Sequence, residues 1–305
     1  MSPQIVGIGL CTLDHLYLLE DLSALPEGAV LEHSVQGGGP AATAMAAAAT
    51  LGAACGFIGA VGDDPAGKEI LAIFREASVD TSRTLVREHF SSCRVLVLVD
   101  ARSGDRHFLL FRGDYPRLSV GDIDWGYVRQ ACVVHFDTFV EGIEPIIENA
   151  SSGGALISVD APAESGLLEQ WVPVVDVFVG GADRPEWRSD PNRTLEAARQ
   201  IAARGPSTVI LTLGSEGCAG VADGEEFYLP AFSVPVIDTT GTGDVFHGAY
   251  LYGITKGWSW RQAALFASAA AAMSARRLGG RAGLPSAAQV AAFLSERGHD
   301  GPWHA

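Results

Sequence analysis

Asp238-Thr239-Thr240-Gly241-Thr242-Gly243-Asp244 runs directly into an apolar helical stretch, Val245 to Ile254. The stretch is a glycine-rich turn that opens a helix. The first N–H groups of a helix lack partners and sit at the positive end of its dipole. Glycines let an anion approach that backbone closely. An aspartate at the rim of such a turn can accept a proton from an attacking hydroxyl while the N–H groups hold the anion. Moving a phosphoryl group from a nucleotide to an alcohol requires both. The competing reading is a plain loop in which Asp244 only serves the helix start. Two acids, two glycines and three threonines in seven residues weigh against it.

The rest of the chain supplies a scaffold for that turn. Short apolar runs read as buried parallel strands at Ile5–Gly9, Gly56–Val61, Cys132–Phe136, Leu156–Asp160, Val174–Val179 and Val209–Leu213. Helical stretches fall between many of them, at Ala41–Leu51, Ala66–Ala77, Glu144–Ser151 and Thr194–Ala203. This alternation predicts an α/β fold, a doubly wound parallel sheet covered on both faces. Three helices are expected in the C-terminal third, at Asp244–Thr255, Trp260–Arg276 and Ser286–Arg297, with a frayed tail from His299 to Ala305.

Two places break the alternation. Asp14–Leu19 follows the first strand with no helix between, and Cys93–Asp100 and His107–Phe111 flank Arg102-Ser103-Gly104-Asp105 as a β-hairpin. These excursions, about 12–36 and 91–113, read as a flap or subdomain on one domain spanning 1–305.

The 305 residues are 48% hydrophobic and carry a formal net charge of −15. That charge argues against nucleic acid and anionic membrane as partners. Five scattered cysteines with no C-x-x-C pair predict reduced thiols in a cytoplasmic protein rather than a disulfide framework or zinc site. No secretion signal is read at the N-terminus. Val35–Gly62 is uncharged and long enough to cross a bilayer. Gly37-Gly38-Gly39-Pro40 and Leu51-Gly52 punctuate it, so a buried Ala-rich helix followed by a buried strand explains it better.

Other groups are candidates for chemistry. Asp14 lies just beyond the first strand, on the carboxyl side of the sheet where α/β ligands bind, and a carboxylate there can take two sugar hydroxyls. Gly37-Gly38-Gly39-Pro40-Ala41-Ala42-Thr43 is a second glycine-rich lead-in to a helix, suited to backbone contact with hydroxyls. Leu211-Thr212-Leu213-Gly214-Ser215-Glu216-Gly217 can wall a nucleotide pocket, with Gly279-Gly280-Arg281-Ala282-Gly283 as a loop near it. Arg281 could touch phosphate there, although a surface arginine is the commoner outcome. Gly7-Ile8-Gly9 lacks the third glycine and the following helix of a dinucleotide site.

Taken together, these motifs resemble the ribokinase-like carbohydrate kinases, the phosphofructokinase-B family. The resemblance runs from Ile5 to Phe293 and includes the motif order: Asp14, Gly38-Gly39, Leu213-Gly214, then Asp238–Asp244. It implies a parallel-sheet core with a small β-lid closing over the sugar, and ATP-dependent phosphorylation of a hydroxyl on a small sugar, with Mg²⁺. It casts Asp244 as catalytic base, with Gly241, Thr242 and Gly243 as the backbone anion hole. Asp14, Gly38, Gly39 and Thr43 become substrate contacts; Thr212, Gly214 and Gly217 become nucleotide contacts. Asp238, Thr240, Gly279 and Gly283 match a potassium site found in many relatives. A homodimer through the lid is expected.

This sequence also departs from the family pattern. Thr43 stands where most relatives have a sugar-binding Asn, and Gly181 and Arg184 stand where many have an N-x-x-E element that orders magnesium, with Glu186 nearby but out of register. Within the family, Gly37–Ala44, Asp238–Ala249 and Gly279–Pro285 look most like the sulfofructose kinase branch. That branch grips a sulfonate with cationic and amide groups, and the aligned positions here are Ala29, Leu110 and Phe139. A neutral or weakly anionic acceptor is therefore expected. Arg94, Arg106 and Arg112 in the lid region could bind an anion differently, but read first as solvated edge charges. Rival readings are a nucleoside kinase on the same scaffold, a regulator that binds sugar or nucleotide without catalysis, and, last, a nicotinamide-dependent oxidoreductase built on Gly7 and Gly9.

Overall fold

The computed structural model describes residues 2–24, 27–111, 113–138, 144–162, 171–181 and 190–303. In chain order, β1 is Ile5–Ile8, β2 Thr12–Leu19 and β3 Val30–Gly38, followed by helix α1, Pro40–Leu51. Next come β4 Cys55–Ile58, β5 Ala60–Gly62 and α2 Pro65–Glu76. Strands β6 Leu85–Arg87, β7 Arg94–Asp100 and β8 Arg106–Phe111 precede the short helix α3, Trp125–Val128. Then follow β9 Val133–Asp137, α4 Glu144–Ser152, β10 Leu156–Asp160, β11 Val177–Gly181, α5 Pro191–Ala202 and β12 Thr208–Thr212. Strands β13 Cys218–Ala222 and β14 Glu225–Leu229 lead into α6 Thr242–Thr255, α7 Trp260–Ser274 and α8 Ala287–Ser295.

Eight strands form the main sheet, in the order β14-β13-β12-β11-β10-β9-β1-β4. From β12 to β4 every pairing is parallel. Both faces of these strands are buried, which is why they read as unbroken apolar runs. Successive residues of β1 serve different cores: Ile5 packs with α6 and the Ala-rich helices α1 and α7, while Val6 and Ile8 pack with residues of α3, α4 and α5 on the other face. β1 lies between β4 and β9, so the winding reverses at the β1/β9 boundary. The crevice at the carboxyl ends of such strands is where open α/β sheets bind ligands.

A second sheet, β3-β2-β7-β8, stands apart from the main one. Val95, Val97 and Val99 on β7 bury one face against Leu16 and Leu278. Every residue of the edge strand β8 is exposed.

The doubly wound α/β reading holds, and several details are corrected. The sheet is mixed at one edge, where β13 and β14 form an antiparallel hairpin turning at Asp223-Gly224, both with positive φ; the Asp-Gly pair was the signal for it. The expected strand Gly56–Val61 divides at Gly59, after which β5 leaves to pair with β6. The strand expected from Val174 starts at Val177, because Val172–Val174 forms a 3-10 turn and Asp176 accepts the Ile157 N–H (2.8 Å). The tail is not frayed as far as it is described. Trp303 is 5% exposed and packs on Trp258 and Phe266, with ring centroids 5.2 and 5.7 Å away. Among the described residues, no helix is long and apolar enough to cross a membrane.

Candidate active site

Helix α6 begins where the opening motif places it, and its N-cap is Gly241 with φ 72°. Only glycine takes that conformation without strain, and a Cβ there would also come within 2.7 Å of the Gly280 Cα. Asp244 lies in the first turn. At Gly243 a Cβ would meet nothing within 4 Å, so the approach to the helix N-terminus is open there. The preceding loop is tied down by Asp238, which is 2% exposed. Its Oδ1 accepts from Thr240 N (2.9 Å) and Thr240 Oγ1 (2.8 Å), and its Oδ2 from Gly279 N (2.8 Å). One carboxylate thus joins the glycine turn to the 279–283 loop.

A cavity of about 290 Å³ opens between this turn and the second sheet. Asp14, Gly38, Gly39 and Thr43 line it together with Thr240, Gly241 and Asp244. Leu10, Leu16, Val95, Phe108 and Leu110 supply an apolar wall. Asp14 lies opposite Gln36 on β3 and Val95 on β7, and Thr12 Oγ1 donates to its Oδ1 (2.5 Å). A Cβ at Gly38 would sit 2.0 Å from Asp14 Oδ2, so a glycine is needed there to admit the carboxylate.

The electrostatics follow from enclosure. Burial pushes the Asp244 carboxyl well above its usual range; the charges of Asp160 and Asp137 push the same way, and Arg281 pulls against them. Asp14 is raised by burial, opposed by the Thr12 hydrogen bond and Arg281. Arg281 is itself lowered by burial to about 10, against the pull of Asp14, Cys11 and Asp244.

The nucleotide candidates lie at the same end of the sheet but outside this cavity. Thr212 ends β12, and its Oγ1 donates to Gly180 O (3.3 Å); Gly214 and Gly217 take positive φ in the following turn. Of the potassium candidates, Asp238, Thr240 and Gly279 come together, whereas a Cβ on Gly283 would meet Ser274 O at 2.4 Å. Ala29, Arg94 and Arg106 are exposed. Leu110 lines the cavity rim. Arg112, Phe139, Arg184 and Glu186 lie outside the described residues.

Several residues at the site were not anticipated. Asp137 ends β9 and Asp160 ends β10, so each apolar strand delivers an acid at its carboxyl end. That signal was present in the runs VVHFD and LISVD. Asp137 Oδ2 accepts from Leu10 N (3.0 Å) and Ala41 N (3.3 Å), pinning the start of α1 at the β1/β9 boundary. His247 stands behind the turn, with Nδ1 2.9 Å from Gly243 O, Nε2 3.2 Å from Val179 O, and Asp160 Oδ2 at 3.7 Å. Arg281, expected at the surface, is folded into the site.

A doubly wound sheet with an acid at a glycine-led helix N-terminus, roofed by a small separate sheet, is the ribokinase-like architecture. Residues 2–287 match the family model described as pfkB family carbohydrate kinase. The chain is 26% identical over 268 residues to a ribokinase of Haemophilus influenzae, covering 84% of this chain and 87% of the relative. It is 27% identical over 334 residues to fructokinase-1 of Zea mays, covering 96% and 98%. Its fold matches the crystal structure of a putative ribokinase II from E. coli in complex with ATP and Mg²⁺, with a TM-score of 0.82, 20% identity, and 96% and 99% of the two chains covered. The chain belongs to the pfkB family of carbohydrate kinases.

Proposed function

We propose that this kinase transfers the terminal phosphoryl group of ATP to a hydroxyl of a small neutral sugar or polyol, with Asp244 as base. The observation that carries this reading is that Asp14 and Asp244 line one cavity whose wall includes Gly241 of the helix-opening turn. Asp14 accepts hydrogen bonds from acceptor hydroxyls, with Gly38, Gly39 and Thr43 beside it. Asp244 takes the proton of the reacting hydroxyl, whose oxygen attacks the γ-phosphorus as ADP leaves. The N–H groups of Gly241, Thr242 and Gly243 face the charge of the transferring group. Phe108 and Leu110 close the acceptor from water. ATP lies along the turn toward Thr212, Gly214 and Gly217.

The donors present suit Mg²⁺, which is commonly held by one or two carboxylates and substrate phosphates. Asp160 is the carboxylate that fits, because its charge presses on Asp244 and a cation would relieve it. Gly181, at the N-x-x-E position, has no side chain to assist. When bound, the ion neutralises phosphate charge. Asp238, Thr240 and the Gly279 end of the loop are the place for K⁺, with Gly283 packed against Ser274; the buried Asp238 carboxylate offers a negative centre there.

The cavity volume is near the lower end of the ~300–1,000 Å³ of drug-sized sites, which favours a monosaccharide over a nucleoside. Its charged lining is Asp14 and Asp244, both acids, so an anionic substituent would face repulsion. Five free cysteines support a reducing, cytoplasmic setting. The apolar surface of the lid outside the cavity supports a homodimer: Val30, Leu31, Leu109 and Phe111 are exposed. An ADP-release screen of D-ribose, D-fructose, sorbitol, adenosine and sulfofructose tests the reading. Neutral sugars or polyols should give the highest kcat/KM; a preference for adenosine or sulfofructose would overturn it.

A further inference from the structure

Gly37 and Gly38 are consecutive in the extended strand β3, so their missing side chains would point to opposite faces. Different charged groups occupy the two bared faces. Asp14 fills the position of a Gly38 Cβ, at 2.0 Å from Oδ2, and Arg281 fills that of a Gly37 Cβ, at 2.4 Å from Nη1. An anion and a cation therefore meet across one strand of naked backbone. A Cβ on either glycine would hold one of them away.

The cation is fixed from several directions. Gln36 Oε1 accepts from Arg281 N (2.9 Å) and Ala282 N (3.0 Å), and Gln36 Nε2 donates to Leu278 O (2.7 Å). From this clasp the side chain turns under the glycines. Nη2 donates to Gly38 O and Nε to Thr43 Oγ1, both at 3.3 Å, and the guanidinium lies 5.1 Å from the Phe74 ring centroid. Nη1 is shut off from solvent and has no hydrogen-bond partner. A buried donor without a partner is costly; the nearby Asp14 and Asp244 charges offset part of that cost.

Arg281 does not line the acceptor cavity. It lies behind the floor, on the loop that packs Gly280 against Gly241. We infer that Arg281 is a positioning residue for acceptor recognition: through the bare Gly37-Gly38 backbone it fixes Asp14 and couples the acceptor floor to the phosphate-binding turn. Thr43, where relatives carry a sugar-binding Asn, is its hydrogen-bond partner, so the Arg281–Thr43 pair supports the floor from beneath. This inference rests on the reading of Asp14 as the acceptor residue.

The test compares Arg281→Met, Arg281→Lys, Asp14→Asn and the Arg281→Met/Asp14→Asn double variant. With D-fructose and Mg-ATP, Arg281→Met should raise the KM for D-fructose at least about tenfold, as expected for a lost charge-assisted contact. The KM for ATP should change less than about twofold, and Arg281→Lys should recover part of the D-fructose KM. Thermal unfolding supplies a readout independent of the acceptor: the Tm shift caused by Arg281→Met should differ between the wild-type and Asp14→Asn backgrounds. Additive Tm shifts, or equal changes in both KM values, would overturn the inference. If Asp14→Asn leaves the D-fructose KM unchanged while the Tm shifts remain coupled, the acceptor reading of Asp14 fails and the Arg281–Asp14 linkage stands.

Discussion

The glycine turn and the lid sheet face each other across one cavity and are built on opposite terms. The turn is anchored from behind: Asp238 ties it to the 279–283 loop, and α6 packs on α1 and α7 in an Ala-rich core. The lid buries one face, through β7, and leaves its edge strand β8 exposed from end to end. The group proposed to do chemistry stands on the rigid side, and the groups proposed to cover the acceptor stand on the exposed side. Positioning a base needs a locked rotamer, whereas enclosing a substrate needs an element whose opening costs little.

The sharpest way to break this contrast is Asp244→Asn. On the rigid side it should reduce kcat by about 10²–10⁴-fold while leaving ATP binding intact. Near-wild-type turnover by the purified variant would remove Asp244 as base. The same substitution should raise Tm at neutral pH. Asp244 ionises at its ordinary value in the unfolded chain and only at higher pH in the folded protein, because burial and nearby acids disfavour its charge. Between those values the folded state holds more protons, so this group's contribution to stability falls as pH rises through the window. A neutral amide escapes that loss. An unchanged or lower Tm at pH 7, with no gap opening relative to pH 4, would show that the site does not strain the carboxylate.

On the acceptor side, Asp14→Ala should cost about 1.5–3 kcal/mol in kcat/KM for the sugar, the usual worth of a charged hydrogen bond. The KM for ATP should stay within about twofold. Equal loss for both substrates would mean that the two sides of the cavity are not separate.

Gly241→Ala sharpens the contrast structurally. A positive φ of 72° and a Cβ 2.7 Å from Gly280 Cα should together cost about 1–3 kcal/mol of stability, read from denaturant midpoints. Gly104→Ala, at the lid turn, also has a positive φ but open space around its Cβ, and should cost less. A larger loss at Gly104 would reverse the assignment of rigid and yielding regions.

The smallest effect is expected in dynamics. Amide exchange across Arg94–Phe111 should slow when D-fructose and a nonhydrolysable ATP analogue are both present, and exchange in α6 should change little. Identical protection of β7 and β8 in free and bound protein would make the lid a static wall.

What the sequence determined by itself is local in origin. Buried strands such as Leu156–Asp160, the helix opening at Gly241-Thr242, and the lid hairpin each announce themselves within a short stretch of chain, because apolar runs, glycines and turn residues act on their own neighbourhood. The place of Asp244 in the first turn of α6 was legible for the same reason, since the glycine turn and the helix start share seven residues. Only the tertiary structure decided what meets across the chain. Asp137 reaches Leu10 over 127 residues, and the Arg281 N–H reaches Gln36 over 245. The Trp303 ring settles on Trp258 and Phe266 instead of fraying. An arginine in a glycine-rich loop reads as solvated from sequence, since nothing nearby can pair it. It becomes a half-buried part of the site, with its Nη1 shut off from solvent, because two glycines on a distant strand leave space for its charge.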